Sequence, residues 1–117
     1  MVTQSRGRGG LVPVRGDVWL ATLDPTIGSE IKKTRPCLIV SPPEMNERLH
    51  TILAAPMTTG SRLAPSRIPA VFQGRAGLIL LDQLRALDKA RLIRRLGAVD
   101  TDTLAATLET LREIFEE

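Results

Sequence analysis

The sequence predicts a mainly β domain, a small SH3-like barrel with one C-terminal helix packed on it, and three observations carry that expectation. Between residues 17 and 99 the apolar runs are short and are separated by turns containing Pro, Gly or clustered polar residues. Only residues 101–115 show a helical period, with Leu104, Leu108, Leu111 and Phe115 recurring at offsets of four, three and four. A chain of 117 residues is large enough for one hydrophobic core and too small for two.

Taken in order, residues 1–13 hold Gly7, Gly9 and Gly10 with Arg6 and Arg8, show no periodicity, and read as a flexible basic tail ahead of a single domain at 14–117. Residues 17–23 form the first strand. Val18, Leu20 and Thr22 share one face and Trp19, Ala21 and Leu23 the other, so both faces are apolar and each needs a cover, a helix or a partner subunit. The second strand, 36–41, ends at Pro42-Pro43, and 44–48 make one helical turn. A third strand, 51–56, leads into a polar loop, 57–66, with Gly60 and Arg62, that reads as a mobile flap over a site.

Strands at 68–72 and 77–81 follow, parted by residues 73–76, and strand character continues through 83–87. Asp88 is placed to cap a short helix over 89–93 before the last strand, 95–99. Asp100 or Thr101 caps the terminal helix, whose apolar stripe, with Ala105 and Ile114 alongside, is expected to pack on the core.

Composition narrows the function. No apolar run approaches the roughly 20 residues of a membrane helix, and the N-terminus lacks the apolar centre of a signal peptide, so a cytoplasmic protein without a membrane partner is expected. The single cysteine, Cys37, excludes an internal disulfide and reads as a small core residue. Net charge is +3, unevenly spread: residues 1–99 carry fifteen Lys and Arg against seven Asp and Glu, whereas 100–117 carry one Arg against six acids. A basic body with an acidic end suits a polyanion such as nucleic acid, bound away from the terminal helix.

There is no His/Cys cluster and no glycine-rich phosphate loop opening a helix, so no metal and no cofactor are expected. His50, the lone histidine, reads as a surface or cap residue, and Trp19 as a packing residue rather than a base-stacking one.

The polar loop 24–34 runs directly into the second strand at Arg35-Pro36. Proline at 36 holds Arg35 extended and is tolerated at a strand's first residue or edge, so the guanidinium is offered at the mouth of the sheet. Asp24-Pro25 starts a turn and Gly28 relieves the backbone, which gives the loop a defined shape. A planar guanidinium there can hold two phosphate oxygens at once, or form a surface ion pair with Glu30.

Gly16-Asp17-Val-Trp-Leu, then Leu23-Asp-Pro-Thr-x-Gly-Ser-Glu30 and Arg35-Pro36, resemble the opening of the MazF/PemK family of toxin endoribonucleases. Ala54-Ala-Pro-Met-Thr-Thr59 and the block from Leu81 to Leu92 resemble the family's later signatures in the same order, so the likeness covers roughly residues 15–115.

The resemblance implies the SH3-like barrel, a homodimer, and sequence-specific, metal-independent cleavage of single-stranded RNA. It further implies a cognate MazE-like antitoxin whose acidic flexible tail fits the basic groove, with promoter DNA bound only through the antitoxin complex. RNA carries its own nucleophile, the 2′-hydroxyl. Such an enzyme need only align it, stabilise the phosphate charge and protonate the 5′-oxygen, which leaves a 2′,3′-cyclic phosphate and a 5′-hydroxyl.

Arg35 supplies the charge, and Thr58, which resembles the family's catalytic threonine, either bonds the same phosphate or bonds its own turn backbone. For the general base Glu30 and Asp82 stay open, since Glu30 can equally orient Arg35 and Asp82 with Gln83 can bind bases. Some family members place an arginine two residues before this aspartate; here Leu80 stands there. With few aromatics, base recognition falls to loops and cations, for which Lys32, Lys33, Thr59, Arg62, Arg67, Gln83 and Arg85 are the candidates.

Two other readings share the barrel. One is a non-catalytic poison of DNA gyrase like CcdB, whose terminal helix ends with a tryptophan and a glycine, whereas residues 112–117 here are Arg-Glu-Ile-Phe-Glu-Glu. The other is an RNA- or DNA-binding domain without activity.

Overall fold

The computed structural model describes residues 12–23 and 34–117. Within them the order is β1 (Asp17–Thr22), β2 (Thr34–Ile39), α1 (Pro43–Arg48), β3 (Thr51–Thr58), β4 (Arg67–Phe72), β5 (Arg75–Leu80), β6 (Arg85–Asp88), β7 (Leu92–Ala98) and α2 (Thr101–Ile114). The strands form one antiparallel sheet in the order β4-β5-β3-β2-β1-β7, with β6 paired to the other end of β3.

Two bulges on β7 curl this sheet. Val18 pairs with Gly97 but Trp19 with Arg95, and Leu20 pairs with Arg94 but Ala21 with Leu92, so Leu96 and Ile93 are extra residues. Such insertions bend the strand and raise its twist.

Both faces of β1 are covered, as its sequence requires. Val18 joins Leu38, Val40, Ala55, Met57, Ile79 and Leu81 in one cluster, against which Leu111 of α2 packs. Trp19 and Ala21 join Cys37, Ile39, Ile52, Ala54 and Leu87 in the other. Trp19 is therefore a packing residue, with its indole N–H donating to Asp17 at 3.2 Å.

Asp17 is buried and gathers three donors: the Val14 amide at 2.9 Å, the Trp19 indole, and Arg95 Nε at 3.1 Å. It ties the start of β1 to β7. Removing the carboxylate leaves the buried indole N–H without an acceptor and gives the Arg95 guanidinium back to solvent, so Asp17→Ala should lower stability by about 1–3 kcal/mol in chemical denaturation.

Cys37 is fully buried on β2, and burial pushes its thiol up from the ordinary 9.0 to about 11, against the opposing pull of Arg85 and then Arg35. The fold favours the protonated thiol over the thiolate. Its stabilising share is complete below pH 9 and is lost as pH rises toward 11. In native protein at pH 8 a thiol-specific reagent should leave Cys37 unmodified, and one thiol should react once guanidinium unfolds the chain.

Several boundaries differ from the sequence reading. The expected helix over 89–93 is a single 3₁₀ turn, Lys89–Arg91, capped as anticipated by Asp88, which accepts from the Ala90 amide at 2.8 Å. The strand expected over 83–87 is a 3₁₀ turn, Leu81–Gln83, followed by β6. α2 starts at its Asp100 cap, which accepts from the Thr103 amide at 2.7 Å.

The expected stripe of α2 is corrected at its far end. Phe115 is 74% exposed and Ile114 44%, Ala105 is exposed, and the helix's fully buried side chain is Thr107. Thr107 is accommodated because its hydroxyl donates to the Thr103 carbonyl at 2.8 Å. Contact with the core runs as far as Leu111, and the apolar residues beyond it are left in solvent. His50 is exposed, in keeping with a surface residue.

Candidate active site

Two prolines determine where the sheet opens. Pro36 has no N–H to give, and the β2–β3 ladder begins only at Cys37, opposite Pro56. Beyond Pro56, β3 leaves β2 and takes β5 as its partner, with Met57 opposite Ile79 and Thr58 opposite Leu78. Carrying the Cys37–Pro56 register on by two residues sets Arg35 across the gap from Thr58. Both are half-buried, and both line a cleft of about 280 Å³.

Thr58 is the last residue of β3, where the sequence reading has it in the loop. Its Oγ1 accepts from the Gly60 amide at 3.2 Å, so the local turn bond is present. That bond uses an acceptor lone pair and leaves the hydroxyl hydrogen available to an incoming oxygen. The Arg35 carbonyl accepts from the Cys37 thiol at 3.6 Å, and the residue is part of the cleft lining.

The position of Thr58 depends on a glycine. A Cβ on Gly77 of β5 would lie 2.5 Å from the Thr58 carbonyl oxygen and 3.3 Å from its carbonyl carbon. The two strands approach this closely only because Gly77 has no side chain.

The other candidates divide. Thr59 is exposed and lines the cleft. Arg67 and Asp82 are committed to each other: Arg67 Nε reaches Asp82 Oδ1 at 3.1 Å and Nη2 reaches Oδ2 at 3.1 Å, while the Ser66 hydroxyl donates to Oδ1 at 3.4 Å. Arg67 Nη1 also donates to the Arg62 carbonyl at 3.1 Å. The C-terminal base of the 59–66 loop is thus clamped to the turn after β5, in contrast to a flap loose at both ends.

The hydrogen bond from Arg67 is the largest cause holding the Asp82 carboxyl below its usual range, and the same bond raises Arg67. A carboxylate so held is a weak proton acceptor. Asp82→Asn should accordingly slow cleavage of RNA by less than about tenfold, by loosening the loop base, where loss of a general base costs about 10²-fold or more. The shift also makes the clamp's contribution present at neutral pH and lost as pH falls through Asp82's lowered range.

Gln83 and Arg85 are exposed and lie outside the cleft lining; Arg85 Nη1 donates to the Leu23 carbonyl at 3.2 Å. Glu30, Lys32 and Lys33 lie outside the described residues, as do Asp24, Pro25 and Gly28.

The far wall of the cleft was not legible in advance. It consists of Phe72, Gln73 and Arg75 from the β4–β5 hairpin, with Leu96 at the first β7 bulge. Their only sequence signal is the turn Gln73-Gly74 between two apolar runs, which marks a hairpin and says nothing of what it faces. Among the described residues the ion pairs are Arg67–Asp82, Arg95–Asp17 and Arg112–Glu109, so Arg35 and Arg75 enter none of them.

Comparison with known proteins agrees with this architecture. Residues 14–115 match the family described as the PemK-like, MazF-like toxin of type II toxin-antitoxin systems. The chain is 35% identical over 107 residues to Endoribonuclease PemK of Escherichia coli, covering 86% of this chain and 80% of that protein.

Among solved structures, MazF of Deinococcus radiodurans superposes with a TM-score of 0.74 at 28% identity, covering 88% of this chain and 96% of that one. A mycobacterial endoribonuclease in complex with its cognate antitoxin gives 0.73 at 25% identity, over 86% and 92%. The MazE–MazF complex of Deinococcus radiodurans gives 0.76 at 27% identity, over 88% and 95%. These likenesses bear out the mainly β barrel with its C-terminal helix, and with a family match that runs from residue 14 to residue 115 the chain belongs to the PemK-like, MazF-like toxins.

Proposed function

We propose that this chain is an endoribonuclease toxin that cleaves single-stranded RNA at specific sequences without a metal ion. The observation that carries the reading is that Arg35 and Thr58, on either side of the opening between β2 and β3, line one cleft. The relatives named endoribonuclease support the same reaction class.

In the proposed reaction the 2′-oxygen forms a bond to the adjacent phosphorus as the bond from phosphorus to the 5′-oxygen breaks. The 2′-hydroxyl proton leaves to a base and the 5′-oxygen gains a proton, giving a 2′,3′-cyclic phosphate and a 5′-hydroxyl. Arg35 holds two non-bridging oxygens as charge builds on them, and the Thr58 hydroxyl donates a further hydrogen bond. A guanidinium offers donors and no acceptor, so Arg35 is assigned the stabilisation of charge and the base is sought among the carboxylates. Glu30 remains the carboxylate to test as base, because Asp82 is engaged by Arg67.

Control comes from a cognate antitoxin, as in the complexes of the related toxins. An acidic flexible segment of that partner has an electrostatic reason to occupy the cleft, since residues 1–99 hold fifteen cations against seven acids. The active form is a homodimer, and promoter DNA is engaged through the antitoxin complex.

The test is incubation with a long, unstructured RNA in chelator, without ribosomes, and mapping of the fragment ends. Cuts at one short motif ending in cyclic phosphate are expected. Intact RNA would overturn the proposal and bring gyrase binding forward, and cuts that require a divalent metal would overturn the metal-free chemistry.

A further inference from the structure

We infer that the wall of the cleft opposite Arg35 and Thr58 is a base-reading pocket, in which Phe72, Gln73 and Arg75 select the nucleobase beside the cleaved phosphate. This rests on the endoribonuclease reading and adds to it where part of the sequence preference resides.

The cleft brings together two unlike sets of residues. Arg35 and Thr58 carry groups suited to phosphate. Met57, Ala70 and Phe72 contribute apolar lining, and Gln73 and Arg75 add polar groups from the hairpin. At about 280 Å³ the cleft lies just under the range that holds drug-sized ligands, a size for one nucleoside and not for a run of bases. Apolar lining, an aromatic ring and a few polar groups beside a cation make a site for a planar heterocycle attached to a phosphate.

Two features fix this wall in place. Gln73 sits at φ 53°, in the left-handed region, and its side-chain Nε2 donates to the Leu96 carbonyl at 3.1 Å. The amide nitrogen is thereby committed and the amide oxygen is left as an oriented acceptor. The Phe72 ring rests against the backbone of β7, where a Cβ on Gly97 would come within 3.2 Å of its Cζ. Leu96, the bulged residue of β7, supplies both the carbonyl that holds Gln73 and a side chain in the cleft.

Arg75 is exposed and lines the cleft. Its fork suits a base edge with two adjacent acceptors, as O6 and N7 form on guanine.

The experiment titrates the four nucleoside 3′-monophosphates, and separately the 5′-monophosphates, into the full chain while amide resonances are followed by NMR. Guanosine monophosphate should bind about tenfold more tightly than the other bases, an order that a bidentate guanidinium contact supplies, with shifts concentrated over residues 72–77. Arg75→Ala should erase the preference, Gln73→Gly should reduce it while keeping the turn, and Arg35→Ala should weaken all four nucleotides by a similar factor. Arg94→Ala, on β7 outside the cleft, should change nothing.

Equal binding of the four bases, or a preference untouched by Arg75→Ala, overturns the inference even if the protein cuts RNA. A base preference lost in Arg75→Ala sustains it even if no RNA is cut, in which case the endoribonuclease reading alone fails.

Discussion

Replacing Arg35 by alanine should slow RNA cleavage by on the order of 10²–10³, the cost of removing one preorganised charge from the developing oxyanion. Little else should change. Arg35 is half-buried at the end of β2 and enters none of the ion pairs among the described residues, so its loss leaves the two core clusters intact. Single-turnover cleavage of a mapped RNA site, read beside a denaturation curve, separates chemistry from folding. A variant that cuts at the parent rate would remove Arg35 from the mechanism. Lysine at the same position should recover only part of the rate, because an ammonium cannot hold two phosphate oxygens in a planar fork.

The second large effect is expected from a residue with no functional group. In Gly77→Ala the new Cβ would begin 2.5 Å from the Thr58 carbonyl oxygen and 3.5 Å from the Thr59 α-carbon. Both neighbours are backbone, so no side chain can swing aside. To reach ordinary contact the strands must part by roughly 1 Å, at a cost of about 1–3 kcal/mol. Displacing Thr58 by that amount from Arg35 should cost about 10²-fold in cleavage, since misplacement on this scale removes the advantage of alignment.

Gly60 is the control. Nothing lies within 4 Å of a Cβ there, so Gly60→Ala should stay within about 0.5 kcal/mol of the parent. A Gly77→Ala enzyme with parental activity would show that Thr58 need not be held in register with Arg35.

Asp82 illustrates how a tertiary contact bears on what a side chain is free to do. In the chain it stands in a recognisable block beside Gln83, open as a base or a base contact. Arg67, fifteen residues earlier, meets it with a two-pronged ion pair, and that contact turns an available carboxylate into a clamp on the loop. Among the candidate RNA contacts, Arg67 spends its guanidinium on the clamp, whereas Arg62 contributes only its backbone carbonyl.

Much of the scaffold was legible because it obeys local rules. Alternation in β1 foretold two apolar faces, and Asp88 and Asp100 sit where a short side-chain acceptor satisfies an open amide. The terminal helix followed from its period, yet the exposure of Ile114 and Phe115 did not, since period gives the face of a helix and not how far the sheet extends beneath it.

By itself the sequence determined the mainly β class, the terminal helix, the placement of Arg35 by Pro36, and the three ordered blocks that carry the family likeness. Only the tertiary structure decided that Arg35 stands across from Thr58, that Gly77 sets their spacing, and that Phe72, Gln73 and Arg75 form the opposite wall. The physical reason is range. Propensity, capping and proline geometry act over a few residues and leave their mark in the local sequence. Strand order, bulges and close approach bring together residues that lie about twenty to eighty apart, and no local pattern encodes which of them will meet.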